Sequence, residues 1–467
     1  MIQWQFLGGT DTVTGSKHIL TAHDGTRILI DCGMFQGRRA EAEALNREQS
    51  FDPASIDAMV LSHAHIDHCG CIPLLAKTGA FRAPIHATEA TADLLPIMLR
   101  DSAHIQEADA AYLNQKTSRR GMPPVEPLYT MADAEAVLPL IVPHPYRTPF
   151  DLPGGIRATQ VDAGHVLGAA LTLLEVPRPS GRPLRIALTF DLGRRDLPLL
   201  RDPDPLADID VLVTETTYGD RLHDAAVNAA DDLCEGINAA LSRGGKVIIP
   251  TFALERTQEI LYHISNLRER GRIPHVPVYI DSPMATHVSG VFEKHLECLD
   301  EETLALHQRI GTVLSPPWVT YTTTIDDSKA ITSSKTPSIT LAASGMCENG
   351  RIRHHLKHGI ENPANIVILV GYQAINTLGR HLQNGEKNVR IFGDAFRVRA
   401  EIRSLNAFSA HADRLELFRY IRDMRPRAAY LVHGEQRPRE SFARLLADQL
   451  SIRAALPVRG ETAVLDP

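Results

Sequence analysis

With 467 residues, 43% of them hydrophobic, the chain exceeds one ordinary domain and can build real cores, so we expect two or three domains. The formal net charge of −7 argues against a broad non-specific coat for nucleic acid, although it leaves room for a small phosphodiester site. No run approaches the about 18 uninterrupted apolar residues of a membrane span, and the first residues lack the pattern of a signal peptide. We therefore expect a soluble cytoplasmic protein with no membrane contact and with its six scattered cysteines reduced.

The first candidate residue follows an early strand. The run from Arg27 to Ile30 is predicted to be a strand, and Asp31 stands at its end, two residues before Gly33. Carboxylates at strand ends lie where sites of α/β proteins are built. A plain turn aspartate is the alternative.

The most informative stretch comes next. The apolar run from Ala58 to Leu61 predicts a short buried strand, and three histidines and a carboxylate follow it within six residues: His63, His65, Asp67 and His68. Imidazole and carboxylate groups are ligands that zinc accepts. In an extended segment His63 and His65 point the same way, so both can reach one ion, while Asp67 and His68 come after the turn and could face a second ion. The alternatives are a polar surface loop, or thiolate ligation by the nearby Cys69 and Cys71.

Two further candidates also stand at predicted strand ends. His165 follows a strand around residues 156–161 and comes directly after Gly164. Asp191 follows a strand predicted from Arg185 to Phe190. Each is a weak signal by itself, and the order in which they follow the histidine-rich stretch gives them their weight.

From residue 211 the pattern changes. An apolar strand ends in Glu215, and strands then alternate with helices, which predicts βαβ units and a parallel sheet in an inserted domain. Within the insert, Ser344 and Gly345 lie between a strand and a helix, where backbone N–H groups can face a phosphate. With Arg351 and Arg380 they form a candidate phosphate contact, and a glycine turn without a ligand is the alternative. The closing segment adds His411, and His433 at the end of another strand.

Together these motifs resemble the metallo-β-lactamase superfamily and, within it, the β-CASP nucleases, over essentially the full length. The run from His63 to His68 matches the superfamily's His-x-His-x-Asp-His motif, and Glu215, His411 and His433 match motifs A, B and C of the branch. The resemblance implies an αββα metallo-β-lactamase sandwich with an inserted β-CASP domain built on a parallel α/β sheet.

The domain boundaries follow from the same comparison. Residues 1–208 are predicted to form the first part of the metallo-β-lactamase domain and 209–388 the inserted β-CASP domain. Residues 389–467 are predicted to return to the first domain and to carry motifs B and C.

The resemblance further implies two zinc ions per chain. One ion would be held by three histidines and the other by two histidines and an aspartate, with a second aspartate shared: His63, His65 and His165; Asp67, His68 and His433; Asp191. Metal binding lowers the pKa of water from about 15.7 towards about 7, so a hydroxide between the ions would attack phosphorus. In the family, Asp31 orients metal-bound histidines.

The implied reaction is the hydrolysis of single-stranded RNA in a cleft between the two domains. His411 would protonate the departing 3′ oxygen, and Glu215 would orient His411 and favour its protonated form. We count Asp67 and Asp31 with them among the catalytic residues. DNA-acting members of the branch usually carry an aliphatic residue at motif C, so His433 favours RNA. A helix cap at the segment starting near Asp413 is the alternative for His411.

Two other functions are compatible with part of the pattern. A hydrolase of small molecules would share the metal motif but would have no use for the insert, Glu215 or His411. An inactive RNA-binding paralogue would be expected to have lost ligands, and all seven are present. The sequence leaves open the RNA substrate, endonuclease against 5′–3′ exonuclease action, activity on DNA, and the oligomeric state, with a homodimer as one option.

Overall fold

The computed structural model describes residues 1–117, 123–223, 229–371, 373–374, 376–405 and 409–465. The chain divides into two compact units. The first contains Met1–Arg195, Asp202–Leu222 and His411–Pro467, and the second contains Asp196–Arg201 and His223–Ala410. Among the helices of the described ranges, none combines the length and apolar character that crossing a membrane requires.

The chain before the insert supplies most elements of the first unit. Its strands are β1 (Gln3–Gly8), β2 (Lys17–Thr21), β3 (Arg27–Ile30), β4 (Ala58–Val60), β5 (Ile85–Thr88), β6 (Ile141–His144), β7 (Phe150–Asp151), β8 (Arg157–Asp162), β9 (Ala170–Val176), β10 (Leu184–Thr189) and β11 (Val211–Glu215). Its helices are α1 (Arg39–Arg47), α2 (Ile66–Cys69), α3 (Ile72–Lys77), α4 (Glu89–Thr117) and α5 (Met131–Val137).

The insert supplies a second set. Its strands are β12 (Val247–Pro250), β13 (Val278–Ile280), β14 (Val319–Tyr321), β15 (Ile339–Ala342), β16 (Ile366–Val370), β17 (Asn388–Ile391), β18 (Asp394–Arg397) and β19 (Glu401–Leu405). Its helices are α6 (Ala229–Ser242), α7 (Arg256–Glu269), α8 (Pro283–Lys294), α9 (Glu301–Ile310), α10 (Ile325–Ser333), α11 (Ile352–Gly359) and α12 (Leu378–Gln383). The closing segment adds α13 (Arg414–Met424), β20 (Ala428–Val432), α14 (Gln436–Leu450), β21 (Ala454–Ala455) and β22 (Thr462–Val464).

The first unit contains two seven-stranded sheets. Their orders are β22-β1-β2-β3-β4-β5-β6 and β21-β20-β11-β10-β9-β8-β7. Successive side chains along each strand point to opposite faces of its sheet. Each sheet therefore has one face towards the other sheet and one face away from it. Trp4 of β1 and Leu188 of β10 belong to the same buried cluster, which fills the space between the sheets.

The outer face of each sheet is covered by helices. Ile19 of β2 packs in one cluster with Leu75 of α3 and Leu99 of α4. Leu212 of β11 packs in another cluster with Ile421 of α13. Two sheets covered by helices on both outer faces form the αββα sandwich that the motifs predicted, so the predicted fold of this unit is confirmed.

The second unit is built on one six-stranded sheet, ordered β14-β13-β15-β12-β16-β19, in which neighbouring strands run parallel. Its alternation of strands and helices matches the predicted βαβ pattern. On one face, Val367 and Leu369 of β16 pack against Ile352 of α11 and Leu382 of α12. The stretch between residues 304 and 337 contains the end of α9, β14 and α10.

Both domain boundaries differ from those predicted at residues 209 and 389. β11 pairs in parallel with β10 and β20, so it completes a sheet of the first unit and does not begin the insert. β19 pairs in parallel with β16, so the insert extends past residue 388 to Ala410. In both cases the pairing partner of a strand, which local sequence does not specify, decides the boundary.

Candidate metal centre

The histidine-rich stretch lies in the loop after β4 and in the short helix α2. His63 and His65 face one another, with His63 Nε2 at 3.1 Å from His65 Nδ1. His165, which follows β8, brings its Nε2 within 3.4 Å of the same His65 nitrogen. Asp191 Oδ2 lies 3.4 Å from His63 Nε2 and 3.3 Å from His165 Nε2. Three imidazoles and one carboxylate oxygen therefore converge on one point.

A second group lies beside the first. Asp67 Oδ2 is 3.9 Å from His68 Nε2 and 3.6 Å from His433 Nε2. The other oxygen of Asp191, Oδ1, lies 3.4 Å from His68 Nε2 and 3.5 Å from His433 Nδ1. Because one oxygen of Asp191 faces each group, its carboxylate is placed to bridge two cations.

Asp31 holds the ring of His68 through a contact with its Nδ1, the ring nitrogen that does not face the ligand group. Its buried carboxylate accepts hydrogen bonds from Ser62 N at 2.9 Å and Ser62 Oγ at 3.0 Å. His68 Nδ1 lies 2.7 Å from Asp31 Oδ2, and Ser16 Oγ donates to the same oxygen at 3.1 Å. A histidine that donates through Nδ1 presents the lone pair of Nε2 in a fixed direction, which is the arrangement that supports metal ligands.

The buried charges influence one another strongly. Burial lowers the pKa of His63 and of His165 well below the ordinary value. Burial alone would raise the pKa of Asp191, but the imidazoles of His433 and His68 outweigh it and hold that pKa well below its usual range. Burial opposes the charged form of His68, but Asp191 and Asp31 outweigh it and raise the pKa of His68 well above its ordinary value. Cation binding requires ionised carboxylates and neutral imidazoles, so His68 has to release a proton when a cation binds.

The hydrogen bonding of the candidate ligand atoms also indicates a metal site. Buried polar atoms almost always have hydrogen-bond partners. Within the described part of the chain, His68 Nε2, Asp191 Oδ1 and His433 Nε2 are buried and have none. All three atoms point at the same space. Nitrogen and oxygen atoms of this kind, in groups whose members lie within 4.8 Å of one another, fit the binding of metal cations.

Glu215 and His411 form a pair next to the Asp191 carboxylate. Glu215 ends β11, is fully buried, and accepts a hydrogen bond from Leu192 N at 2.6 Å. His411 Nδ1 lies 3.1 Å from both of its oxygens. Burial opposes the imidazolium, but Glu215 and Asp191 outweigh it and raise the pKa of His411 to about 10. The ring of His411 also lies over that of His165, with their centroids 4.5 Å apart.

The helix-cap alternative for His411 does not fit the structure. Asp413 is the N-cap of α13, where its side chain accepts from the N–H groups of Leu415 and Glu416 and forms a capping box with Glu416. His411 lies two residues earlier, in an extended bridge with Gly193. Its ring therefore faces Glu215 and not the start of the helix.

The four residues predicted as phosphate contacts lie in the second unit, where both arginines make internal hydrogen bonds. Arg351 donates to Asp281 Oδ1 at 2.7 Å and to the carbonyl oxygens of Thr322 and Thr323. Arg380 donates to the carbonyl oxygen of Gln373 through two nitrogens. Arg351 thus contacts partners 28 to 70 residues away, whereas Arg380 contacts a residue seven positions earlier, and both contribute to the internal structure of the second unit.

Ser344 and Gly345 also have local structural roles. The Ser344 hydroxyl accepts from Asn349 N at 3.4 Å. A Cβ atom added to Gly345 would lie 2.8 Å from the ring of Phe252, so the packing of that ring accounts for the glycine. The turn without a ligand accounts for what the structure shows of both residues.

Three supporting residues were missed by sequence reasoning. Ser62 and Ser16 donate to Asp31, and Thr217 lies with its Oγ1 3.3 Å from His433 Nδ1. Ser62 could have been found from its position directly before the histidines. Ser16 and Thr217 reach the site through strand pairing and carried no local signal.

Three family models and several known proteins match the chain. Family models match the chain as the Metallo-beta-lactamase superfamily over residues 16–203, the Beta-Casp domain over 257–382 and the Zn-dependent metallo-hydrolase RNA specificity domain over 396–457. A ribonuclease of Thermus thermophilus, TTHA0252, is 37% identical over 94% of this chain and 95% of its own length.

Two archaeal proteins and one solved structure are also similar. An RNase J-like protein of Methanocaldococcus jannaschii is 31% identical over 98% of this chain and 99% of its own. The transcription termination factor FttA of that organism is 30% identical over 95% of this chain and 68% of its own. A protein of unknown function from Enterococcus faecalis shares the fold, with a TM-score of 0.56 and 15% identity over 99% of both chains. The chain therefore belongs to the β-CASP branch of the metallo-β-lactamase superfamily, as its motifs predicted.

Proposed function

We propose that this protein is a zinc-dependent ribonuclease that hydrolyses phosphodiester bonds of single-stranded RNA, in RNA processing or decay. The observation that carries the proposal is the Asp191 carboxylate, whose two oxygens face two separate groups of ligands, with the His411–Glu215 pair beside it. A paired metal centre with an adjacent acid suits displacement at phosphorus. The ribonuclease and RNase J-like names of two relatives support RNA as the substrate.

Two zinc ions per chain would be held by the two groups described above, with Asp191 shared. Bound there, they would supply Lewis-acid activation of water and neutralise charge on the phosphoryl oxygens. The protein's own residues set the orientation. Asp31 holds the His68 ring, and Thr217 lies against the His433 ring, so the donor atoms are positioned before a cation arrives.

His411 is the proposed general acid. Its Nδ1 faces Glu215, so in the imidazolium form the second proton is on Nε2 and is available to a leaving oxygen. Glu215 raises the pKa of His411 and fixes its ring, while nearby divalent cations would lower that pKa towards neutrality. The expected proton transfer is from His411 Nε2 to the 3′ oxygen as the P–O bond breaks.

The rival functions explain fewer of these features. A hydrolase of small molecules would need neither the buried Glu215–His411 pair nor an insert of this size. An inactive RNA-binding paralogue would not need seven complete ligand side chains arranged around one shared carboxylate. A cytoplasmic location fits the six cysteines, which are all buried and none of which forms a disulfide bond.

The proposal is tested with purified protein prepared without chelators. Elemental analysis is expected to find two zinc ions per chain, and well under one would count strongly against the metal assignment. Matched single-stranded RNA, single-stranded DNA and duplex RNA are then incubated with the protein, each labelled at the 5′ or 3′ end. RNA single strands are expected to be cut fastest, and removal of zinc should stop the cleavage. Equal turnover of RNA and DNA would overturn the RNA preference.

The same labelled substrates decide the mode of cleavage. Mononucleotides released from the 5′ end would indicate an exonuclease, and discrete fragments from both labels would indicate an endonuclease. Hydrolysis of small esters without any cleavage of RNA would instead indicate the small-molecule hydrolase.

A further inference from the structure

The first sheet carries a buried lysine, Lys17, on its outer face. The proposed ribonuclease function gives this lysine no role. Lys17 is the first residue of β2 and is only 6% exposed. Side chains alternate along the strand, so Lys17 shares the outer, helix-covered face with Ile19, while His18 faces the opposite way. In the described ranges, no hydrogen bond or ion pair engages the Lys17 ammonium.

Lys17 forms part of the lining of a cavity of about 280 Å³ that lies within the first unit. Cationic side chains predominate there, since Arg47 and Lys77 join Lys17 and the one carboxylate is Glu48. Glu48 is itself paired with Arg459 at 2.9 Å. Burial by itself would lower the pKa of Lys17, but Cys32 and Cys71 outweigh it and keep that pKa above its ordinary value. The lining therefore carries three cationic side chains against one carboxylate, although Arg47 also pairs at 3.1 Å with Glu43, which lies outside the lining.

The remaining walls are largely apolar. Phe51, Pro53, Leu74, Leu75 and Leu128 supply the apolar part, and Asn46, Gln49, Ser50 and Thr78 add uncharged polar side chains. Ligand cavities typically combine apolar walls with a few polar groups that fix orientation, and volumes start at about 300 Å³. A cavity at this lower limit suits a compact molecule with one charged end and a hydrophobic body.

We propose that this cavity binds a small organic oxyanion, a phosphate monoester or a carboxylate, whose charged group pairs with the Lys17 ammonium and whose apolar body covers the leucine and phenylalanine walls. A buried cation gains most from a partner that is itself removed from water. This site is separate from the proposed ribonuclease centre and does not depend on it.

Backbone hydrogen bonds nevertheless connect the lining of the cavity to the segment that carries the metal ligands. Cys32, which lines the cavity, is the neighbour of Asp31, and its N–H donates to the carbonyl oxygen of His68 at 2.8 Å. Cys71, which also lines it, donates its N–H to Cys32 O at 2.8 Å. A ligand in the cavity would therefore pack against the back of the loop that carries Asp31.

The test is calorimetric titration of the zinc-loaded protein with phenyl phosphate, benzoate, inorganic phosphate and phenol. Phenyl phosphate or benzoate is expected to bind saturably, and phenol, which lacks the charge, is not. Inorganic phosphate is expected to bind more weakly because it leaves the apolar walls uncovered. Equal affinity for inorganic and phenyl phosphate would overturn the role given to those walls.

Two variants separate this site from the metal centre, which also attracts anions. Lys17→Met keeps an unbranched side chain, one heavy atom shorter, and removes the charge, so the affinity of the organic anion should fall at least tenfold. Lys246→Met is the matched control, because Lys246 is a half-buried lysine of the second unit whose ammonium donates to Ile331 O at 2.8 Å. Its anion affinity should equal that of the parent.

A cavity-filling variant covers the case in which Lys17→Met fails to fold. Leu74→Trp retains the lysine but occupies the cavity from its half-buried wall, and it should abolish saturable binding of the organic anion. If neither organic anion binds the parent saturably, or if Lys17→Met and Leu74→Trp bind as the parent does, the proposed site does not exist.

Discussion

Asp191 in the first unit and Asp281 in the second are both buried carboxylates placed just after a strand. Asp281 accepts hydrogen bonds from four side chains at 2.5 to 2.7 Å, those of Thr322, Ser328, Arg351 and His355. Asp191 has imidazoles around it at 3.3 to 3.5 Å, and its Oδ1 lacks any hydrogen bond within the described ranges. A saturated buried carboxylate holds a fold together, whereas an unsaturated one among ligand atoms is open to a cation.

Substitution of Asp191 should have the largest effect. Asp191→Ala removes the bridging charge between two cations, so it should lower zinc content and abolish RNA cleavage. Removal of a residue that only orients a metal ligand typically lowers metal affinity by about 10–100-fold. Removal of Asp191, which is itself a ligand, is expected to lower it by more. Zinc per chain after gel filtration and the cleavage rate measure it.

The matched substitution in the second unit should leave zinc unchanged. Asp281→Ala is expected to weaken the fold of that unit while the protein still binds two zinc ions. If both variants lose zinc equally, the contrast between the two carboxylates is wrong.

His411→Ala should reduce the rate without removing metal. Loss of a general acid costs about 10²–10⁴-fold in rate, or roughly 3–5 kcal/mol of barrier at about 1.4 kcal/mol per tenfold change. A substrate with sulfur in place of the bridging 3′ oxygen needs less protonation and should recover much of that loss. Single-turnover cleavage of the two substrates, with zinc analysis, measures both effects.

A control for His411 exists in the second unit. His381 pairs with Glu386 at 2.6 Å in a half-exposed position. His381→Ala should cut RNA at the parent rate. Normal cleavage by His411→Ala, or loss of its zinc, would remove His411 from the mechanism.

Asp281→Asn should affect stability more than activity. Removal of one partner of a buried ion pair lowers the free energy of unfolding by about 3–5 kcal/mol. The chain has two tryptophans, Trp4 in the first unit and Trp318 in the second. In a Trp4→Phe background, Trp318 fluorescence during denaturation therefore reports on the second unit alone. An unchanged midpoint would show that the Asp281 network contributes little.

The smallest effect should appear in the pH dependence of the same signal. Burial would raise the pKa of Asp281, but its hydrogen bonds from His355, Ser328, Thr322 and Arg351 lower it by more. The folded pKa is depressed, so this stabilisation is present above the unfolded pKa of about 3.9 and is lost as the pH falls further. The denaturation midpoint should decline on acidification below about pH 4, and Asp281→Asn should flatten that decline.

The comparison also shows what local sequence can predict. His63, His65, Asp67 and His68 follow one strand within a few residues, so their pattern was sufficient to place them together. The pairing of Arg351 with Asp281 could not be predicted in this way, because the two residues are 70 positions apart. Glu215 and His411 are 196 residues apart, and only the family resemblance linked them.

The strand order explains the remaining differences. β11 was assigned to the insert because it is followed by alternating strands and helices, yet its partners are β10 and β20. Lys17 was not singled out either, because a single lysine at a strand start has no distinguishing pattern. Its burial follows from the helices that cover the sheet.

The parallel pairing of β11 with β20 has a consequence for biosynthesis. Thr217, just after β11, and His433, just after β20, are neighbours in the fold but are separated by 216 residues. At about 5–20 residues per second, a ribosome needs roughly 10–45 s to make the intervening chain. During that interval the nascent protein has no His433, and the edge of β11 that β20 later covers is unpaired. The set of metal ligands is complete only late in translation. Until then, the nascent chain is expected to lack nuclease activity towards its own messenger RNA.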